Sequence, residues 1–174
     1  MTKNKKETKK TRAKKHMQVE FVSIMGLRTY ISPIALHTYA KDFLRVAKII
    51  PPDRVPFTPA RFYLVCHAIE LSLKSFLSAR KATLQSLSAP SLGHNLSVLL
   101  EEAIAGGLQS VVSLRSSELK IIEQASEYYA EKVFEYPAIF EAIRGMPKLP
   151  DWHSLLNIAS SLVDDLEQTC LNAS

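Results

Sequence analysis

The sequence contains few of the residues on which several common protein classes depend. Only two cysteines occur, Cys66 and Cys170, and neither belongs to a CxxC pair. This argues against a disulfide-stabilised scaffold and is typical of a protein in a reducing compartment. Cys66 lies among apolar residues without an activating neighbour, so we expect a buried structural side chain and not a nucleophile.

Long apolar runs are also missing. The most apolar stretch, residues 62–77, is interrupted by His67, Glu70 and Lys74. A membrane-spanning helix needs about 20 predominantly apolar residues, so we expect no segment to cross a bilayer. The basic N-terminus is not followed by an apolar stretch of the signal-peptide type. The sequence therefore predicts a cytoplasmic protein without a membrane partner.

Motifs for phosphate loops and metal sites are absent as well. Gly106-Gly107 is not followed by Lys-Ser or Lys-Thr, as a phosphate-binding loop would require. His67 and Glu70 have the i,i+3 spacing of a carboxylate-bridged metal site, but no second His/Glu pair accompanies them. We expect neither a metal nor another cofactor.

Positive charge is concentrated in one segment. Residues 1–16 contain eight Lys/Arg and one acid, which gives this segment a net charge of +7. Because the net charge of the whole chain is +5, the remaining residues carry a net charge of −2. This basic tail has almost no apolar residues and is predicted to be disordered. It is either a solubilising end or a phosphate-contacting arm for nucleic acid. Met17 offers an alternative start that would remove it. The residues of the arm would be Lys5, Lys6, Lys9, Lys10, Arg12, Lys14 and Lys15.

Beyond residues 17–25, which fit either a short strand or an irregular lead-in, the pattern is helical. Apolar residues recur every three to four positions, and the start signals Ser32-Pro33, Thr58-Pro59 and Asp151 precede three of the periodic segments. Short links join the segments, so we predict one all-α domain over residues 17–174, an antiparallel bundle of about five helices. The first four predicted helices are 33–50, 59–81, 96–105 and 117–134, with a serine-rich loop over 83–93. The last predicted helix begins at 152, and its apolar stripe reaches 166.

A polar stripe follows one side of the second predicted helix. Tyr63, His67, Glu70 and Lys74 are spaced i, i+4, i+7 and i+11. Glu70 and Lys74 have the favourable order for an i,i+4 ion pair. The stripe is either a solvated face with one ordinary salt bridge or a partly buried polar set that binds a ligand.

A second polar pair, His94 and Asn95, begins the third predicted helix. His94 either caps exposed backbone N–H groups or packs against the polar stripe. Both residues join the stripe as candidate binding residues.

Three segments together resemble the HEPN family of small helical proteins. They are HAIELSLKSFL (67–77), GHNLSVLL (93–100) and EYYAEKVFEYP (127–137), and the resemblance covers roughly residues 58–137. It implies a bundle of four or five helices, commonly paired as a homodimer. Many members are endoribonucleases of toxin, defence or RNA-processing systems. Others have lost catalysis and bind nucleotides or a partner nucleotidyltransferase.

The catalytic members of that family carry arginine, four to six residues, then histidine. Arg61 and His67 match this spacing. In such a pair the imidazole moves a proton at the ribose 2′-hydroxyl and the guanidinium holds the phosphate.

Three features of this chain depart from the catalytic pattern. Phe62 follows Arg61 where the family usually has a polar residue, and on a helix Arg61 and His67 would point about 120° apart. Glu135 stands before Tyr136-Pro137 where relatives often have arginine.

The sequence thus leads to three hypotheses of different classes. The first is a HEPN-like binding protein that engages RNA, a nucleotide or a cognate partner, as part of a toxin–antitoxin or defence system. The alternative is a metal-independent endoribonuclease that uses Arg61 and His67. The third is a purely structural interaction module.

Deletion of residues 1–16 should leave the melting temperature nearly unchanged, because the tail has almost no apolar surface to dock. If the tail is a phosphate-contacting arm, the same deletion should weaken nucleic-acid binding and reduce its salt dependence. Calorimetry and binding titrations at several salt concentrations measure the two effects. Unchanged affinity and salt slope would leave the tail a solubilising role alone.

Overall fold

The computed structural model describes residues 32–51, 57–89, 92–136 and 145–174. The basic tail, residues 17–31 and Pro137 lie outside these ranges. Of the described residues, 71% are helical and none forms a strand, which confirms the predicted all-α class. No helix in these ranges is long and apolar enough to cross a membrane. The helices are α1 (Pro33–Ile49), α2 (Pro59–Ala79), α3 (Leu84–Leu87), α4 (Leu96–Ala105), α5 (Ser116–Ala130) and α6 (Trp152–Asn172), with a 3-10 turn at Leu108–Ser110.

Helix α2 is the centre of the bundle, since it contacts all five of the other described helices. Its apolar stripe is completely buried, as its periodicity predicts. Cys66 belongs to this stripe, and burial raises the pKa of its thiol, so it is a core residue and not a nucleophile. The stripe consists of Phe62, Val65, Cys66, Ile69, Leu73, Phe76 and Leu77.

The helix starts follow the sequence signals closely. The side chains of Ser32, Asn95 and Asp151 each accept a hydrogen bond from the backbone N–H three residues later. Each such bond satisfies a donor that a helix N-terminus otherwise leaves unpaired. Asn95 is therefore the N-cap of α4, and the His94 side chain does not cap this helix.

Two helix ends and one loop differ from the predictions. Helices α2 and α5 stop at Ala79 and Ala130, earlier than predicted, because Lys81 and Lys132 adopt positive φ angles of 74° and 58°. In each case the next N–H bonds a carbonyl five residues back, the pairing of a Schellman motif. The serine-rich loop contains the short helix α3, which its composition did not indicate.

Helix α1 contains a buried polar residue that the periodicity did not reveal. The His37 side chain is buried, and its Nε2 lies 2.7 Å from the carbonyl oxygen of Val163 in α6. Since a carbonyl only accepts, Nε2 carries the hydrogen and donates it. His37 thus adds a buried hydrogen bond between α1 and α6.

Candidate functional site

The carboxylate of Glu70 lies inside the bundle, with only 3% of its side chain exposed. It sits on the polar side of α2, where the helix faces α5 and the N-terminal end of α4. Burying an ionised carboxylate costs several kcal/mol unless charged or hydrogen-bonding partners compensate it. Glu70 has such partners from three separate segments of the chain.

Lys74 provides the opposite charge on the same helix. Its Nζ donates to Oε1 of Glu70 at 2.6 Å and to the carbonyl oxygen of Gly93 at 3.1 Å. Lys74 is itself only 13% exposed, so this pair is better shielded from solvent than an ordinary surface salt bridge. The second bond ties the loop before α4 to the middle of α2.

The other carboxylate oxygen receives donors from α5 and from the segment before α4. The Tyr129 hydroxyl donates to Oε2 of Glu70 at 2.6 Å, and Nδ1 of His94 lies 3.0 Å from the same atom. Nδ1 of His67 is 2.9 Å from the Tyr129 oxygen and 3.4 Å from Oε2, so its hydrogen bond goes to the tyrosine. His67, Tyr129 and Glu70 thus form a short chain of hydrogen bonds.

These contacts determine the ionisation state of the Glu70 carboxyl. Burial alone would raise the pKa of Glu70, but the interactions with His67, Lys74 and Tyr129 outweigh it and lower the pKa to about 2. Burial raises the pKa of the Tyr129 hydroxyl, and Glu70 adds to the effect. At neutral pH the centre therefore contains an ionised carboxylate and a protonated phenol.

Aromatic rings pack against both imidazoles. Tyr63 stacks on His67 with centroids 5.6 Å apart and an interplanar angle of 10°, while Phe43 of α1 meets the same imidazole edge-on at 4.5 Å. Tyr129 lies edge-on to His94 at 5.6 Å. We call Tyr63, His67, Glu70, Lys74, His94 and Tyr129 the Glu70 cluster.

The cluster also has an open side. His67 and His94 are 19% and 40% exposed, and Tyr63 is half-buried. A ligand could therefore reach an aromatic ring and two imidazoles, although it could not reach the carboxylate that holds them.

Asn95 and Arg61 do not join the cluster. The Asn95 side chain caps α4 and accepts a bond from Ser126 of α5, which fixes the position of the neighbouring His94. The Arg61 guanidinium lies 4.0 Å from the centre of the Trp152 ring in α6. Among the described residues, no hydrogen bond or ring contact joins Arg61 to His67.

Residue spacing along the sequence does not predict two contacts of the Glu70 cluster. Helical periodicity places Tyr129 on the same face as Ile122 and Ala125, but nothing near it in the sequence indicates that its hydroxyl meets Glu70. Nothing in the sequence indicates that the Gly93 carbonyl accepts a hydrogen bond from Lys74. Within the described ranges, no three His, Cys, Asp or Glu side chains lie where they could share a metal ion.

Comparison with known proteins identifies no relative. The chain matches no protein-family model, no curated protein and no solved structure. Its function must therefore be inferred from the geometry of the chain itself.

Replacement of Glu70 by alanine should destabilise the protein by about 3 kcal/mol, because it leaves Lys74, Tyr129 and His94 without their acceptor. Glu167→Ala is the matched control, since Glu167 forms an exposed ion pair with Lys41 and should matter little. Chemical denaturation compares the two variants. Equal, small losses of stability would show that Glu70 belongs to an ordinary solvated surface.

Proposed function

We propose that this protein is a HEPN-like helical protein that binds RNA at the Glu70 cluster. The observation that carries the proposal is that one buried carboxylate oxygen holds His94 directly and His67 through Tyr129, while both imidazoles stay partly exposed. The two histidines add partly exposed ring atoms in fixed positions.

The aromatic part of the cluster supports a nucleic-acid ligand over a protein partner. Proteins bind single-stranded RNA largely by stacking unpaired bases on aromatic and histidine rings. Tyr63 and His67 form such a surface, already ordered by their parallel stacking. Lys74, in contrast, is engaged by Glu70 and Gly93, so the cluster offers little positive charge for phosphate.

The basic tail complements the cluster in this proposal. The tail carries a net +7, whereas the remainder of the chain carries −2. Phosphate contacts supply most of the non-specific affinity for nucleic acid. We assign that affinity to the tail and the recognition of bases and sugars to the cluster.

The ribonuclease alternative requires Arg61 and His67 to meet at one phosphate. Arg61 instead lies over Trp152, while His67 is bonded to Tyr129 on α5. We therefore propose binding without cleavage. The homodimer, a nucleotidyltransferase partner and a toxin–antitoxin or defence role rest on the HEPN resemblance, and light scattering tests the first of them.

Tyr63→Ala should weaken binding of a fluorescent single-stranded RNA by about 1–3 kcal/mol, the range found when a stacking aromatic is removed. Tyr39→Ala is the control, because Tyr39 is 65% exposed on α1 and belongs to no ring contact of the cluster. Fluorescence anisotropy measures both variants. Equal affinities for wild type and Tyr63→Ala would contradict binding at the cluster and favour a structural module.

The same RNA, incubated with the protein in EDTA, should stay intact. Cleavage by the wild type that disappears in His67→Ala would instead establish the metal-independent ribonuclease. Cleavage that survives the substitution would point to a contaminating enzyme or to another site, and the ranking of binding above cleavage at Arg61 and His67 would stand.

A further inference from the structure

Helix α1 has a second apolar stripe beside the buried one by which it packs against α2 and α6. The members of this second stripe are spaced i, i+3, i+7 and i+10, so they lie along one side of the helix. Three of them are partly exposed, and Tyr39 is 65% exposed. The second stripe consists of Leu36, Tyr39, Phe43 and Val46.

This apolar surface continues from α1 onto α2. Phe43 meets the His67 ring edge-on at 4.5 Å, so the second stripe adjoins the side of α2 on which His67 lies. Leu64 and Leu71 share that side of α2 with His67 by their helical spacing, and both are partly exposed. None of these apolar side chains carries a charge, so covering them with other apolar groups would stabilise the protein. We call Leu36, Tyr39, Phe43, Val46, Leu64 and Leu71 the α1–α2 face.

The residues that precede α1 have the composition that such a face requires. Nine of the fifteen residues 17–31 are apolar, and the charges of Glu20 and Arg28 cancel. Residues 1–16, in contrast, carry a net charge of +7 and almost no apolar residues. Of the two segments, only residues 17–31 would gain free energy by leaving water for an apolar surface.

Residues 17–31 are also attached at one end of the α1–α2 face. Residue 31 directly precedes Ser32, which is the N-cap of α1. Helix α1 has 17 residues and is therefore about 25 Å long. About eight residues in extended conformation cover that distance, which leaves the others for the turn back along the helix.

We infer that residues 17–31 fold back onto the α1–α2 face and cover it. A tethered segment is favoured over a second copy of the chain, because its attachment gives it a high effective concentration at the face at any protein concentration. The inference assigns these residues to the folded domain and leaves residues 1–16 as the tail. It does not depend on RNA binding, since it concerns the packing of the chain against itself.

Paramagnetic relaxation in the full-length chain tests the contact. A nitroxide is attached at Ser23→Cys, and Cys66 and Cys170 should not react with the label because they are buried. NMR signals of the α1–α2 face should be broadened, whereas the signal of Glu123, exposed on α5, should stay sharp. Sharp signals from the α1–α2 face would overturn the inference. Broadening that arises only between chains, when spin-labelled and isotope-labelled proteins are mixed, would overturn it in favour of a second copy.

The stability of point variants tests which face is covered. Ile24→Asp should lower the urea midpoint of unfolding, because burying a carboxylate without a partner is unfavourable. Thr8→Asp, in the basic tail, is the matched control and should leave the midpoint unchanged. In a chain that already carries Tyr39→Asp, Ile24→Asp should lower the midpoint less than in the wild type, because the two residues belong to one contact. An equal effect in both backgrounds, or no effect of Ile24→Asp in the wild type, would overturn the inference.

Discussion

The ionised carboxylate of Glu70 is the constraint on which the rest of the polar interior depends. Removing this charge from water is unfavourable, and the bundle compensates it with Lys74, the Tyr129 hydroxyl and the Nδ1 of His94. These donors come from α2, α5 and the segment before α4. One carboxylate on α2 therefore connects three parts of the chain that are distant in sequence. Because hydrogen bonds are directional, these contacts specify how the helices pack more narrowly than apolar contacts alone would.

The same interaction links folding to the proposed function. The Lys74 bond to the Gly93 carbonyl and the Asn95 cap, which Ser126 supports, position His94 beside the carboxylate. His67 is held by Tyr129 and enclosed by the rings of Tyr63 and Phe43. Both imidazoles are thereby oriented before any ligand arrives. Such preorganisation reduces the entropy that binding would otherwise cost.

The sequence predicted most of the helices, because periodicity and capping residues act locally. It also placed Glu70 and Lys74 on one side of α2, since helical spacing determines which side chains are neighbours. It could not identify Tyr129 as a partner of Glu70 or His37 as a donor to Val163, because these contacts depend on how distant helices pack. The sequence did not predict the early end of α5, because Lys132 adopts a left-handed conformation that is unusual for lysine.

The pH dependence of stability tests the central role of Glu70 most directly. The pKa of this carboxyl is lowered from 4.5 to about 2 on folding, so its ionisation stabilises the native state above about pH 4.5. That contribution, on the order of 3 kcal/mol, is lost as the pH falls toward 2. The unfolding free energies of wild type and Glu70→Gln should therefore differ by a constant amount between pH 5 and 7 and converge below about pH 4.5. A difference that stays the same down to pH 2 would contradict an ionised carboxylate at the centre of the bundle.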